Sequence, residues 1–271
     1  MSRLHGKVAI VTGAAQGLGA SIARDMIAEG AQVILADVQD EAGEALAREL
    51  GGSARFVHLD VRDRAGWQAA VSHVEAAFGA LSILVNNAVK MEGQSFDDLT
   101  EQEFRDVFEV NELGCFLGMK AVIASMTGCG GGSIVNISSI AGMQPASGIA
   151  YASSKWAIRG MSKSVAHAVA ARNIRVNSVH PGWMRTPSSE VAPLDQVAPL
   201  LPLKKIGDTA EVAKLITFLA SDDASLITGS EYLIDGGALL MGNQDLILSV
   251  MQSEYRHSSG LRCERAGQNP A

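Results

Sequence analysis

Tyr151 and Lys155 stand four residues apart in the stretch AYASSKW (150–156). On a helix, residues i and i+4 share one face, so this spacing sets a phenol beside an ammonium. A tyrosine of ordinary pKa near 10 is a poor base at neutral pH. A cation about 4 Å away contributes roughly 4 kcal/mol at an effective dielectric of about 20. That interaction would lower the phenol by as much as about three pKa units and make it a working acid/base. The small neighbours Ala150, Ala152, Ser153 and Ser154 leave room around the pair. Taken alone, the spacing equally describes a solvated helix face.

Other residues strengthen the chemical reading. The segment NISS (136–139) closes an apolar run just upstream, so Ser138 or Ser139 can offer a hydroxyl to a substrate oxygen. Asn111, in FEVNELG, is polar within an otherwise apolar helical run. Asparagine competes for backbone hydrogen bonds, so it is expected to kink that helix and hold a water near Lys155.

A second constellation lies near the start. The run TGAAQGLGA carries Gly13, Gly17 and Gly19, with Gln16 and Leu18 between them, after one apolar run and before a helical one. Glycines there let the backbone turn tightly and approach a pyrophosphate, which then faces a helix N-terminus. Asp37 ends the next apolar run, eighteen residues past Gly19. A carboxylate there accepts hydrogen bonds from adenosine ribose hydroxyls and repels the 2′-phosphate of NADP. No arginine or lysine stands in the glycine loop or beside Asp37, so the expected cofactor is NAD. Its oxidised ring carries positive charge and would lower the phenol further, while Lys155 could bind the adjoining ribose. Asp60, read as ending the third strand, and Val61 are placed to meet an adenine edge. Asn86, Asn87 and Ala88 end the fourth strand as wall residues or as ties between strand ends.

These groups need a scaffold. Apolar runs at 7–13, 32–37, 55–60, 81–88, 132–139, 174–182 and 231–237 read as strands covered on both faces. Helical patterns at 17–29, 39–50, 63–78, 101–126, 152–171 and 209–220 alternate with them. This βαβ series predicts an α/β fold: a single-domain, Rossmann-type, doubly wound parallel sheet with helices on both faces. The domain is drawn over 1–241. The proline-rich segment 183–207 is expected to be a substrate lid, and 242–271 a C-terminal extension, partly disordered or at a subunit interface.

Composition sets limits. The chain has 271 residues and a formal charge of −7, which argues against binding a phosphate backbone. No apolar run approaches a membrane span, and the N-terminus shows no secretory pattern. Cys115, Cys129 and Cys263 form neither a metal spacing nor a disulfide framework. No metal, nucleic acid or membrane is expected, and the location is expected to be cytoplasmic.

Over roughly residues 5–240 the chain resembles the short-chain dehydrogenase/reductase family. TGAAQGLG, Asp60, NNA (86–88), Asn111, Ser139, YASSK (151–155) and HPGWMRT (180–186) carry the match in order and spacing. The resemblance implies a catalytic tetrad of Asn111, Ser139, Tyr151 and Lys155. In it the phenol exchanges a proton with the substrate oxygen, which Ser139 orients, and Asn111 holds the water of a proton relay. It further implies that Thr186, with Pro181 and Gly182, meets the nicotinamide carboxamide, and that the assembly is a homotetramer. Three features depart from the family pattern: Val89 replaces the usual glycine after NNA, Ser139 stands twelve residues before Tyr151, where Ser138 would give thirteen, and the tail beyond residue 241 is longer than the family needs. Ser139 is preferred as the third residue after Asn136. Met91, Met143, Trp183 and Met184 are the expected substrate rim, an apolar lining suited to a hydrophobic secondary alcohol or ketone, and YASSKWAIRGMSK most resembles the hydroxysteroid dehydrogenases. The alternatives are a 3-oxoacyl thioester reductase and a nucleotide-sensing protein without catalysis.

Overall fold

The Val/Ile/Leu-rich runs form strands, and the longer periodic segments form helices that cover both sides of the sheet. The computed structural model describes residues 2–93, 95–146, 148–189 and 194–241. The strands are β1 (Val8–Thr12), β2 (Gln32–Asp37), β3 (Ala54–His58), β4 (Ile83–Asn86), β5 (Gly132–Ile137), β6 (Ile174–Pro181) and β7 (Glu231–Ile234). The helices are α1 (Gly17–Ala28), α2 (Asp40–Leu50), α3 (Arg64–Phe78), α4 (Glu101–Phe108), α5 (Gly114–Gly128), α6 (Ile149–Val169), α7 (Leu194–Val197) and α8 (Thr209–Ala220).

All seven strands are parallel, in the order β3-β2-β1-β4-β5-β6-β7. Side chains alternate across a strand, so each strand feeds two cores. Ala9 and Val11 of β1 pack with Ile22 and Met26 of α1, Leu46 of α2 and Ile216 of α8. Val8 and Ile10 pack on the other face with Trp67 of α3, Val122 and Met126 of α5 and Val169 of α6. Burying each large apolar side chain stabilises the fold by about 1.5–3 kcal/mol. The strand order reverses between β1 and β4, and in such sheets the ligand crevice opens there, beyond the carboxyl ends of the strands.

Helix starts differ in a way that matters for the site. Asp63 caps α3, and capping boxes open α4 (Thr100 and Glu103) and α8 (Asp208 and Glu211). By contrast, α1 and α6 begin after Gln16 and Gly148, neither of which supplies a side-chain cap. Gln16, Gly17 and Leu18 at the start of α1, and Tyr151 in the first turn of α6, line the cavity described below.

Three details revise the sequence reading. The third strand stops at His58, so Asp60 lies in the turn beyond it. The helix expected over 101–126 is interrupted by a π-turn, Glu109–Leu113, with Asn111 inside it. The segment 183–207 is pinned at its base by pairing of Met184 with Gly207, with bonds from Arg185 N to Gly207 O (3.1 Å) and from Gly207 N to Trp183 O (2.9 Å). Residues 190–193 of that segment, and the extension 242–271, lie outside the described residues.

Candidate active site

The turn from β1 into α1 is shaped by two glycines. Gly13 has φ +61°, and a Cβ there would lie 2.8 Å from the Ala88 Cα. A Cβ on Gly19 would collide with the Gly13 carbonyl. Asn87 locks this turn to β4, its Nδ2 donating to Thr12 O (2.9 Å) and Gly13 O (3.0 Å). Asn86 is a tie between strand ends, donating to Asn136 Oδ1 at 2.8 Å.

A cavity of about 540 Å³ opens beyond this turn. At one end it is lined by Gly13, Gln16, Gly17 and Leu18, with Asp37, Asp60 and Val61. At the other it is lined by Ser139, Tyr151 and Lys155, with Asn87, Ala88, Pro181, Gly182 and Thr186 between and around them. Asp37 belongs to β2 and Ser139 follows β5, three strands away, so about 14 Å of sheet separates the two ends. Gly19 is not in the lining; it serves the turn by close packing.

The buried Asp37 carboxylate is fixed by two backbone amides, Ala15 N to Oδ2 (2.9 Å) and Gln39 N to Oδ1 (3.0 Å). Asp60 is engaged by Arg62, whose Nε and Nη2 donate to its carboxylate at 3.0 and 2.6 Å. This guanidinium holds the Asp60 carboxyl below its usual range. Arg62 also lines the cavity, so a cation does stand near the Asp37 end. Arg62 is neither beside Asp37 nor in the glycine loop along the chain, so only folding brings it to this cavity. Together, the uncapped α1 start, the glycine turn and the fixed Asp37 carboxylate fit a dinucleotide with its pyrophosphate at the helix and its adenosine ribose at Asp37.

At the opposite end, Lys155 is 2% exposed. Its Nζ donates to Ile137 O (2.9 Å) and stands 5.5 Å from the centre of the Tyr151 ring. Burial lowers its pKa to about 8. The Tyr151 phenol is itself held above its ordinary pKa, chiefly by burial; a hydrogen bond with Ser139 opposes this and the Glu92 charge adds to it. The protein's own groups therefore do not supply the expected three-unit lowering of the phenol. Desolvation dominates at the half-buried phenol, and the ammonium is turned toward the Ile137 carbonyl.

The two serines part company. Ser138 Oγ donates to Lys155 O at 2.9 Å and ties β5 to α6. Ser139 is the serine that acts on the phenol, lowering its pKa against burial, and its Oγ accepts from Ala141 N at 3.1 Å. His180, fully buried, contacts Ser139 O through Nδ1 (3.4 Å) and Ser178 through Nε2 (3.0 Å), and burial lowers its pKa. It adjoins Pro181 in HPG, a signal the sequence reading did not use.

Asn111 does not line the cavity. It is 2% exposed and bridges three segments. Its Nδ2 donates to Ser154 Oγ and to Lys90 O, both at 2.9 Å, and its Oδ1 accepts from Lys90 N at 2.8 Å. Ser154 in turn donates to Tyr151 O at 2.7 Å. Both amide protons are committed, so a water on Asn111 would bind at Oδ1 or at its backbone carbonyl. The π-turn displaces carbonyls from the regular helical ladder.

Of the expected substrate rim, Met91 and Met184 line the cavity, joined by Val89. Met143 and Trp183 are not in the lining, and Trp183 points to solvent, 46% exposed. The pinned base at Met184 and Gly207 turns one of two sequence neighbours inward and the other outward. Among the described residues there is no metal-binding cluster and no helix long and apolar enough to cross a membrane.

With this geometry established, comparison with known proteins defines the class. The family model described as enoyl-(acyl carrier protein) reductase matches residues 13–238. A 3-alpha-(or 20-beta)-hydroxysteroid dehydrogenase from Mycobacterium tuberculosis is 45% identical over 242 residues, which cover 88% of this chain and 91% of that one. An NADP-dependent (R)-specific alcohol dehydrogenase from Lentilactobacillus kefiri is 40% identical over 248 residues, 87% of this chain and 97% of that one. A crystal structure of a short-chain type dehydrogenase/reductase from Mycobacterium marinum superposes with TM-score 0.82 at 33% identity, covering 86% and 96% of the two chains. The chain belongs to the short-chain dehydrogenase/reductase family. It is an oxidoreductase of a family that works with a nicotinamide cofactor.

Proposed function

We propose that this protein is an NAD-dependent dehydrogenase of hydrophobic secondary alcohols, with hydroxysteroids the leading class, and that it reduces the matching ketones. The observation that carries this reading is one cavity with the Asp37 carboxylate at one end and the Ser139–Tyr151–Lys155 group at the other. The hydroxysteroid relative and the apolar wall of Val89, Met91 and Met184 support the substrate class. Asp37 supports NAD over NADP, although Arg62 stands nearby and one relative uses NADP.

When bound, a nicotinamide cofactor supplies the hydride acceptor and, oxidised, a positive charge beside the phenol. In alcohol oxidation Tyr151, as phenolate, takes the proton of the substrate hydroxyl, and Ser139 donates to the same oxygen. In ketone reduction the protonated phenol returns it. Lys155 binds the ribose and contributes charge. The glycine turn with Gln16, Gly17 and Leu18 binds the pyrophosphate, and Asp60 and Val61 flank the adenine. Asn87, Ala88, Pro181, Gly182 and Thr186 hold the nicotinamide. Asn111 acts from behind, through Ser154 and a water. The cytoplasmic location and the tetramer belong to the same proposal; light scattering on the eluting protein tests the latter.

A reductase of acyl thioesters is the second reading, favoured by the description of the matching family model. A panel of steroid, aromatic and aliphatic secondary alcohols, with an acyl thioester included, separates the two when reduced-cofactor absorbance is followed with NAD and NADP. Turnover of ring-bearing alcohols with NAD is expected. Activity confined to the thioester, or to NADP, would contradict the proposal.

A further inference from the structure

The catalytic helix α6 has no cap of its own: Gly148 precedes it and offers no side chain. The cap comes from Glu92, a half-buried residue on the loop after β4, more than fifty positions away in the chain. Its Oε1 accepts from Ala150 N at 2.7 Å, and its Oε2 accepts from Tyr151 N at 3.0 Å. The same loop is held two residues earlier, where Asn111 grips both backbone groups of Lys90. Lys90, at one anchor, and Met91, between the two, line the cavity.

We propose that Glu92 is a positioning residue for the acid/base phenol: its carboxylate clamps the cavity-lining loop to the first turn of α6 and sets a fixed negative charge at the Tyr151 backbone. This rests on the reading of Tyr151 as the acid/base. A carboxylate at a helix start is favourable because the first N–H groups have no partner in the helix. Here the gain is tied to the site, because the clamped turn is the one that carries the phenol.

The charge has a consequence. The groups around the phenol are Lys155 on α6, Ser139 after β5 and Glu92 on the loop after β4. Behind them, Cys115 on α5 and His180 on β6 face Lys155, and Lys90 is paired with Asp106 at 2.7 Å. Of these, Glu92 is the negative charge that acts on Tyr151, and it raises the phenol further. Glu92 thus helps keep the phenol protonated until positive charge arrives beside it.

The test is the ionisation of Tyr151 itself. The chain has three tyrosines, so ultraviolet titration of each protein against its Tyr151→Phe counterpart isolates this one, unliganded and with saturating NAD. In Glu92→Gln the midpoint is expected to fall by about half a pH unit or more, and the rising limb of kcat/KM for alcohol oxidation moves to lower pH with it. A purely structural cap would lower the melting temperature and leave the midpoint in place; that result overturns the proposal. If Glu92→Gln folds poorly, Glu92→Gln with Gly148→Ser restores an uncharged local cap. The low midpoint is expected there too, and a wild-type midpoint again overturns the proposal. A protein that oxidises no alcohol refutes the function proposed above, while the absorbance titration still decides the role of Glu92.

Discussion

At the scale of single residues, the site is a contest between burial and charge. Lys155 is buried and Tyr151 half-buried in the cavity wall, and burial disfavours the charged form of each: the phenol is pushed up and the ammonium down to about 8. The protein's own groups therefore favour a protonated phenol, and the positive charge of an oxidised nicotinamide ring would tip the balance the other way. Asp37 lies at the other end, where its buried carboxylate is fixed by two amides and is expected to select the cofactor. Asp37→Ala should lower the ratio of kcat/KM for NAD to that for NADP roughly ten- to hundredfold, the scale of charge-assisted hydrogen bonds. An unchanged ratio would remove the case for Asp37 as the discriminator. Tyr151, Lys155 and Asp37 were legible as candidates, because i,i+4 pairing and a strand-end carboxylate are local facts that the neighbouring NISS and glycine-loop segments reinforce. Glu92 was not, because it meets Ala150 and Tyr151 only after folding.

At the scale of elements, the glycine turn shows how a local pattern becomes a site. Gly19 lies against the Gly13 carbonyl, and that contact sets how closely α1 approaches β1. Gly19→Ala is expected to cost about 1–3 kcal/mol through overpacking and to weaken cofactor binding, read as a lower melting temperature and a smaller shift of it on adding NAD. A wild-type melt with a full NAD shift would contradict this. The strands and their crossover helices were legible because burial on both faces leaves continuous apolar runs. The π-turn at Asn111 was legible only as a polar residue out of place. Its geometry depends on Lys90 and Ser154, which lie on other elements. The inward turn of Met184 and the outward turn of Trp183 were equally hidden, since they follow from the pairing of Met184 with Gly207.

At the scale of the whole molecule, the buried ammonium leaves a signature in stability. Lys155 falls from 10.5 to about 8 on folding, so between those pH values the unfolded chain binds more protons than the native one. Its contribution to stability then rises with pH, and below about pH 8 it carries its full cost, roughly 3 kcal/mol. Lys155→Met should therefore be more stable than wild type near pH 7, with the gap closing as pH approaches 10.5 in paired thermal melts. A gap independent of pH would mean that the ammonium is not buried as described. The acid/base role of the phenol turns on Tyr151→Phe, assayed with a steroid alcohol and NAD beside a direct measurement of NAD binding. We predict a loss of turnover of about 10²–10⁴-fold with NAD affinity nearly unchanged; turnover at the wild-type rate would contradict the assignment of the phenol as the acid/base.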